Sequence, residues 1–235
     1  MPSEITEDFV LLCEGAADQN FFKSLTEKRQ GLNGFPKFFM PDHKEHYGRA
    51  GFKKTLAAIR GTGRLSSIKG ILIVADSHDD PKVTFRYICE QIKAAEGYPI
   101  PSNPLEVAKT AGYPAISIML LPDEMTPGSL ETLCVQLFQE KYPWIQSCID
   151  QFLRCGQILT YSWSPEKLGK AQYQCMVAAT NYEDPSKAIR WAFNGPSPIL
   201  DIQSSCFDDV EKRLKEFYST VTLLDEAEGR NSFLD

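Results

Sequence analysis

Positive charge is the first thing this sequence is short of. Its 25 lysines and arginines are outnumbered by 31 aspartates and glutamates, giving a net charge of −6. A protein that coats nucleic acid by overall charge is basic, so that class is excluded. An acidic enzyme acting on a phosphodiester would need metal ions and local lysines to neutralise its site. Long apolar runs are also missing: none reaches the roughly 20 residues that span a bilayer. The opening MPSEITEDFVLLCEG is acidic where a signal peptide carries basic residues, so a cytoplasmic protein is expected. No Cys-x-x-Cys pair occurs. The seven cysteines are odd in number and scattered, which reads as reduced, mostly buried thiols and not as a disulfide framework or a zinc site. Of three histidines, His43 and His46 have H-x-x-H spacing, but no matching Cys or His pair follows. Neither phosphate-binding glycine pattern, G-x-x-x-x-G-K-[ST] or G-x-G-x-x-G, is present, and Gly61-Thr62-Gly63 is too short to replace them.

What is present is an ordinary globular composition, 43% hydrophobic and 24% charged over 235 residues, enough to bury a sizeable core. The first half alternates two kinds of segment. DFVLLCEG (8–15), PKFFMPD (36–42), KGILIVAD (69–76) and YPAISIMLLPD (113–123) are short apolar runs bounded by turn residues, as buried strands are. Between them, 16–30, 49–61, 81–97 and 128–142 show helical spacing, with Gly31, Gly61 and Gly97 as stops and Pro81 in a first turn. The proline-rich 98–114 reads as a surface loop. Beyond residue 143 only helices are expected, at 144–156, 165–180, 185–194 and 206–221, with a frayed polar tail. The fold class is therefore α/β: a mainly parallel sheet of about four strands with helices on both faces. Residues 1–142 would form this α/β domain, and 143–235 a helical extension packed on it.

In a parallel sheet, functional groups gather at the carboxyl ends of the strands. The first strand ends at Glu14-Gly15 with Asp18 one turn on. The third ends in ADSHDD (75–80), placing Asp76 and Asp79 beside His78. The fourth is followed by Gly128-Ser129-Leu130-Glu131. These acids should share one edge. Carboxylates packed together repel one another and lose hydration. A divalent cation would offset both, and Mg²⁺ takes just such oxygen ligands.

The motifs C-E-G-A-A-D (13–18) and V-A-D-S-H-D (74–79) resemble the TOPRIM fold of topoisomerases, bacterial primases and overcoming-lysogenization-defect (OLD) nucleases. The nearest likeness is to small stand-alone TOPRIM-like proteins related to the OLD type, with G-S-L-E at 128–131 and Lys170 on a later helix. The resemblance implies a nuclease dependent on Mg²⁺ or Mn²⁺. Glu14, Asp18, Asp76, Asp79 and Glu131 would be its metal ligands, and Glu14 and Lys170 its catalytic groups. It also implies weak, metal-dependent binding of nucleic acid, an ATPase partner and a role in phage defence. The alternative it implies is a catalytically degenerate interaction or sensor module. One departure stands out: His78 falls where the family motif places its second aspartate. Asp79 or Asp80 takes over that role, or the loop is one residue longer, or Asp76 is itself the second member with Ala75 in place of the first.

Each residue also has a plainer reading. Glu14 would be a solvated acid at a strand end, and Asp18 would favour its helix dipole. Asp76 and Asp79 would cap the helix beginning near Pro81. Glu131 would be the partner in a capping box. Lys170 would be a solvated helix lysine, and His78 a loop residue. The basic stretch Arg49, Lys53, Lys54, Arg64 and Lys69 would be a solvated face, or would hold a phosphate backbone if it borders the acidic edge.

Overall fold

The computed structural model describes residues 5–41, 48, 50–194 and 198–231. His43, His46 and Arg49 lie outside the described residues. Four parallel strands form one sheet: β1 (Phe9–Cys13), β2 (Phe38–Phe39), β3 (Gly70–Asp76) and β4 (Ala115–Leu121), in the order β2-β1-β3-β4. Helices α1 (Ala16–Lys28), α2 (Gly51–Gly61), α3 (Pro81–Ala94), α4 (Leu130–Lys141), α5 (Ile145–Cys155), α6 (Pro165–Thr180) and α7 (Asp208–Asn231) complete it.

Alternation along the strands explains why both faces are covered. Val10, Leu12, Ile71, Ile73, Ile116 and Ile118 pack with Phe52, Leu56 and Ile59 of α2 and with Ile88 and Ile92 of α3. Phe9, Leu11, Cys13, Leu72, Val74, Met119 and Leu121 point the other way. They meet Phe21 and Phe22 of α1, Phe138 of α4, Met176 of α6 and Val210, Leu214 and Phe217 of α7. A strand buried on both sides reads as an unbroken apolar run, because successive side chains face opposite helix layers. The helices after residue 143 thus share one continuous core with the sheet.

β1 lies between β2 and β3, and both neighbours run parallel to it. The chain leaves β1 through α1 on one face and reaches β3 through α2 on the other. The carboxyl ends of β1 and β3 therefore flank a switch in connection, where a crevice opens in such sheets. Glu14 and Asp76 stand on its two sides.

The structure corrects the sequence reading at three places. The second strand shrinks to Phe38–Phe39. Residues 185–194, read as a helix, hold only a 3₁₀ turn at Ile189–Trp191. The tail read as frayed is helical to Asn231; its chain side faces Lys69 and Lys109 through Asp225 and Glu228. The loop 98–114 runs along the exposed edge of β4, where Ala108 and Ile116 form an antiparallel bridge. This leaves less of that edge free to pair with another chain.

Gly169 lets α6 approach the start of α4: a Cβ there would stand 2.8 Å from Thr132 Oγ1. That hydroxyl is held in place, because it accepts from the Ser129 N–H at 3.1 Å. Gly128, at φ 150°, is pressed against the same threonine, with 2.5 Å to a Cβ. Gly169→Val should therefore lower stability by about 2 kcal/mol or more through overpacking. Urea denaturation checks this, and an unchanged midpoint would show that the two helices separate freely.

Candidate functional site

Glu14 follows β1 directly, and its N–H extends the ladder to Val74 O at 3.1 Å. Its side chain is only 17% exposed. One turn on, Asp18 is buried and Oδ2 accepts from the Gly15 N–H at 3.1 Å, so the acid closes the first turn of α1. Across the switch, Asp76 ends β3 and is 8% exposed. Its Oδ1 accepts from the Leu130 N–H at 3.0 Å, and so caps α4. The helix beginning at Pro81 is capped by Asp80 instead, whose Oδ1 accepts from the Lys82 and Val83 N–H groups. Glu131, half-buried in the first turn of α4, accepts from Ser129 Oγ at 2.8 Å. The capping-box partner of Ser129 is Thr132, so Glu131 is free of that role.

These four acids feel one another. Burial raises the Asp18 carboxyl from 3.8 to about 7, aided by the charges of Glu14 and Glu131 and opposed by the Gly15 N–H and Lys170. Asp76 is likewise pushed well above the usual carboxylate range, by burial first and then by Asp18, Glu131 and Glu14, with Lys170 opposing. Lys170 Nζ lies 3.8 Å from Asp76 Oδ2 and pairs with Glu166 one turn earlier on α6. Burial works against its charge, but Glu166, Glu131 and Asp76 outweigh it and raise its pKa. Lys170 is thus both paired with the acids and still solvated, with 44% of its side chain exposed.

His78 links Glu14 to Glu166. It takes a left-handed backbone, φ 56°, and its N–H donates to Gly128 O at 2.9 Å. Its Nδ1 bonds Glu166 and its Nε2 lies 3.2 Å from Glu14 Oε2. Burial disfavours its charge, yet hydrogen bonds to Glu14 and Glu166 prevail and lift its pKa above 6.5. Glu166, pulled upward by burial, is held below its ordinary value by Lys170 and His78.

The sequence reading missed Glu166 and treated His78 as a loop residue. The one signal for Glu166 was its place four residues before Lys170, which puts both on one helix face. Asp79 falls elsewhere: it is exposed in the turn, and it is not among the charges acting most on Asp18 or Asp76. The basic stretch does not line the site as a unit. Lys69 precedes β3, at the opposite edge of the sheet, and pairs with Asp8 and Asp225. Arg64 donates to Ile5 O at 2.7 Å. Lys53 and Lys54 are exposed at the start of α2.

Among the described residues, no three His, Cys, Asp or Glu side chains converge closely enough to form a metal cage. Among the described residues, no helix is long and apolar enough to cross a membrane.

A family described as proteins of unknown function, DUF3226, matches residues 8–219. The chain belongs to that family. The matched span opens one residue before β1 and closes within α7, so every residue of the constellation, from Glu14 to Lys170, lies inside the DUF3226 region. The helical part after residue 143 is as much a part of that region as the sheet. No curated protein and no solved structure matches the chain.

Proposed function

We propose that this DUF3226 protein is a divalent-metal-dependent nuclease of the TOPRIM/OLD type. The observation that supports it is the gathering of Glu14, Asp18, Asp76 and Glu131 around Lys170 at the switch point of the sheet. Carboxylate oxygens are the donors that Mg²⁺ and Mn²⁺ take. Burial first, and then their acidic neighbours, push the Asp18 and Asp76 carboxyls upward, a cost that a bound cation would offset. The donor chemistry suits the ion, while the side chains as placed stand too far apart for three of them to share it. A bound Mg²⁺ or Mn²⁺ supplies polarisation of a phosphate oxygen and an activated water. Glu14, Asp18, Asp76 and Glu131 would hold it. Glu14, steadied by His78, would accept the proton of the attacking water. Lys170, aimed by Glu166, would meet the charge that develops on the phosphate. Seven free thiols agree with a cytoplasmic setting.

The test is cleavage of DNA and RNA in Mn²⁺, with EDTA as control. Glu14→Gln keeps shape but removes a charge, and should abolish cleavage without unfolding the protein. Lys170→Met should slow cleavage about a hundredfold while changing metal affinity less. Cleavage that persists in Glu14→Gln would sink the reading.

A second reading, a degenerate interaction or sensor module working beside an ATPase partner in phage defence, is favoured by one observation. His78 and Lys170 already occupy the acids as counter-charges, and no three donors converge. Absence of any Mn²⁺-induced rise in melting temperature would move the balance to it, since a cation bound only by the native state must stabilise it.

A further inference from the structure

Tyr161 and Trp163 lie in the connection that leads into α6. Tyr161 is 60% exposed and Trp163 40% exposed, and their ring centroids are 6.0 Å apart with planes tilted by 35°. The backbone is left-handed four residues before the pair, at Gln157 (φ 56°), and between its two members, at Ser162 (φ 51°), a conformation that residues with side chains rarely adopt. Such strain persists only where the surroundings enforce it, and it clusters at functional positions. The pair is followed at once by Ser164, which caps α6, and then by Glu166, which bonds His78 and Lys170. Tyr182, 90% exposed, lies just past the far end of α6, and the exposed tryptophans Trp144 and Trp191 have partners of their own. Arg190 covers Trp191, Trp144 packs edge-on to Tyr142, and neither belongs to the segment that enters α6.

Charge limits how a nucleic acid can be gripped here. The chain carries −6, and the site itself concentrates carboxylates around a single lysine. Phosphate neutralisation, the usual source of affinity for nucleic acid, is therefore weak here. Stacking of bases on aromatic rings is the other source. It tolerates any sequence and requires the base to be unpaired.

We propose that Tyr161 and Trp163 form a stacking platform for unpaired bases of a nucleic-acid strand, placing the adjoining phosphates at the acidic site. This rests on the nuclease reading above and adds the substrate class: single strands, or duplexes with flipped or frayed bases. The platform supplies the grip that the charge distribution withholds. Single-strand affinity should then depend less steeply on salt than a phosphate-driven contact would.

The experiment measures binding of oligo-dT and oligo-U single strands and of a matched duplex in Ca²⁺, by anisotropy of labelled strands, for wild type, Trp163→Phe and the double variant Tyr161→Ala/Trp163→Ala. Both positions are exposed, and melting temperatures confirm folding. Wild type should bind single strands at least tenfold more tightly than duplex. The double variant should lose about 10- to 100-fold for single strands, in keeping with one or two stacked bases, while Trp163→Phe should retain most of the affinity. The Mn²⁺ stabilisation should be unchanged in every variant. Equal affinities for single strand and duplex, or an undiminished affinity in the double variant, would overturn the platform. If cleavage persists at wild-type rates in the double variant, the platform fails and the nuclease reading stands. If Mn²⁺ stabilises the protein but no nucleic acid binds, both the platform and the choice of substrate fail, and only the metal centre stands.

Discussion

In EDTA the protein should be most stable near pH 5 and lose on the order of 2–4 kcal/mol by pH 8. The sign follows from Asp18. Its folded-state pKa, about 7, exceeds the ordinary 3.8 because of burial and then the charges of Glu14 and Glu131. Below pH 3.8 both states keep the proton and no penalty exists. Between 3.8 and 7 the unfolded chain releases a proton that the folded chain retains, so rising pH favours unfolding. Asp76, shifted the same way and coupled to Asp18, adds to the loss. His78 works in the same direction by a different route. Its raised pKa gives stability that is full below 6.5 and disappears as pH climbs through the folded value. Glu166 and Glu211, both held low, contribute above their ordinary 4.5 and lose that contribution as pH falls, which sets the acid side of the dome. Asp18→Asn preserves an acceptor for the Gly15 N–H and deletes the charge. It should flatten much of the slope, raise stability at pH 8 and weaken the Mn²⁺ shift. Urea denaturation at pH 4.5, 6 and 8 reads this directly. A stability that climbs steadily from pH 5 to 8 would mean that the acids do not share one crevice.

The second large effect is expected at Arg213. Its guanidinium is buried and bonds Leu120 O at 3.0 Å, Pro122 O at 2.9 Å, Glu124 at 2.8 Å and Asp209 at 2.9 Å. It ties α7 to the end of β4, from which the chain passes to Gly128 and the acids of α4. Arg213→Met keeps the apolar stem but strands two buried carbonyls and Glu124. The loss should be about 3–5 kcal/mol, which for a chain of this size lowers Tm by roughly 2–4 °C per kcal/mol. Arg213→Lys should rescue little, because one ammonium cannot reproduce a planar fork that serves two carbonyls at once. A loss under 1 kcal/mol would show that the connection after β4 is held by packing alone.

Much of this architecture was legible from apolar runs. KGILIVAD (69–76) and YPAISIMLLPD (113–123) face helices on both sides, so nothing polar interrupts them, and their strands could hardly be misplaced. Phe38–Phe39 was harder: an edge strand of two residues carries too short a pattern to fix its length. Residues 185–194 have helical spacing but fold as a 3₁₀ turn. Ile189, Ala192 and Phe193 are buried there, and the α1 side chains Ser24 and Lys28 bond Asn194 and the Phe193 carbonyl, contacts between distant parts of the chain. At the site, the rule that acids collect at strand ends grouped Glu14, Asp18, Asp76 and Glu131, and in the structure these charges act on one another. It could not separate Asp79, which faces solvent, because neighbouring loop residues diverge at a turn with positive φ. Glu166 and His78 meet across 88 residues of sequence, a pairing that no local pattern encodes.

The shared core has a consequence for synthesis. A nascent chain that has reached residue 142 has made all four strands and both helices of one face, but Leu11, Val74 and Met119 still lack Met176, Phe207, Val210 and Leu214 as cover. It has also made every carboxylate of the crevice except Glu166, and has no Lys170 to set against them. Of the counter-charges, only His78 is already made. The last two-fifths of the chain must leave the ribosome before the crevice gains Lys170 and the sheet is covered, so the protein completes its core and its crevice in one late step.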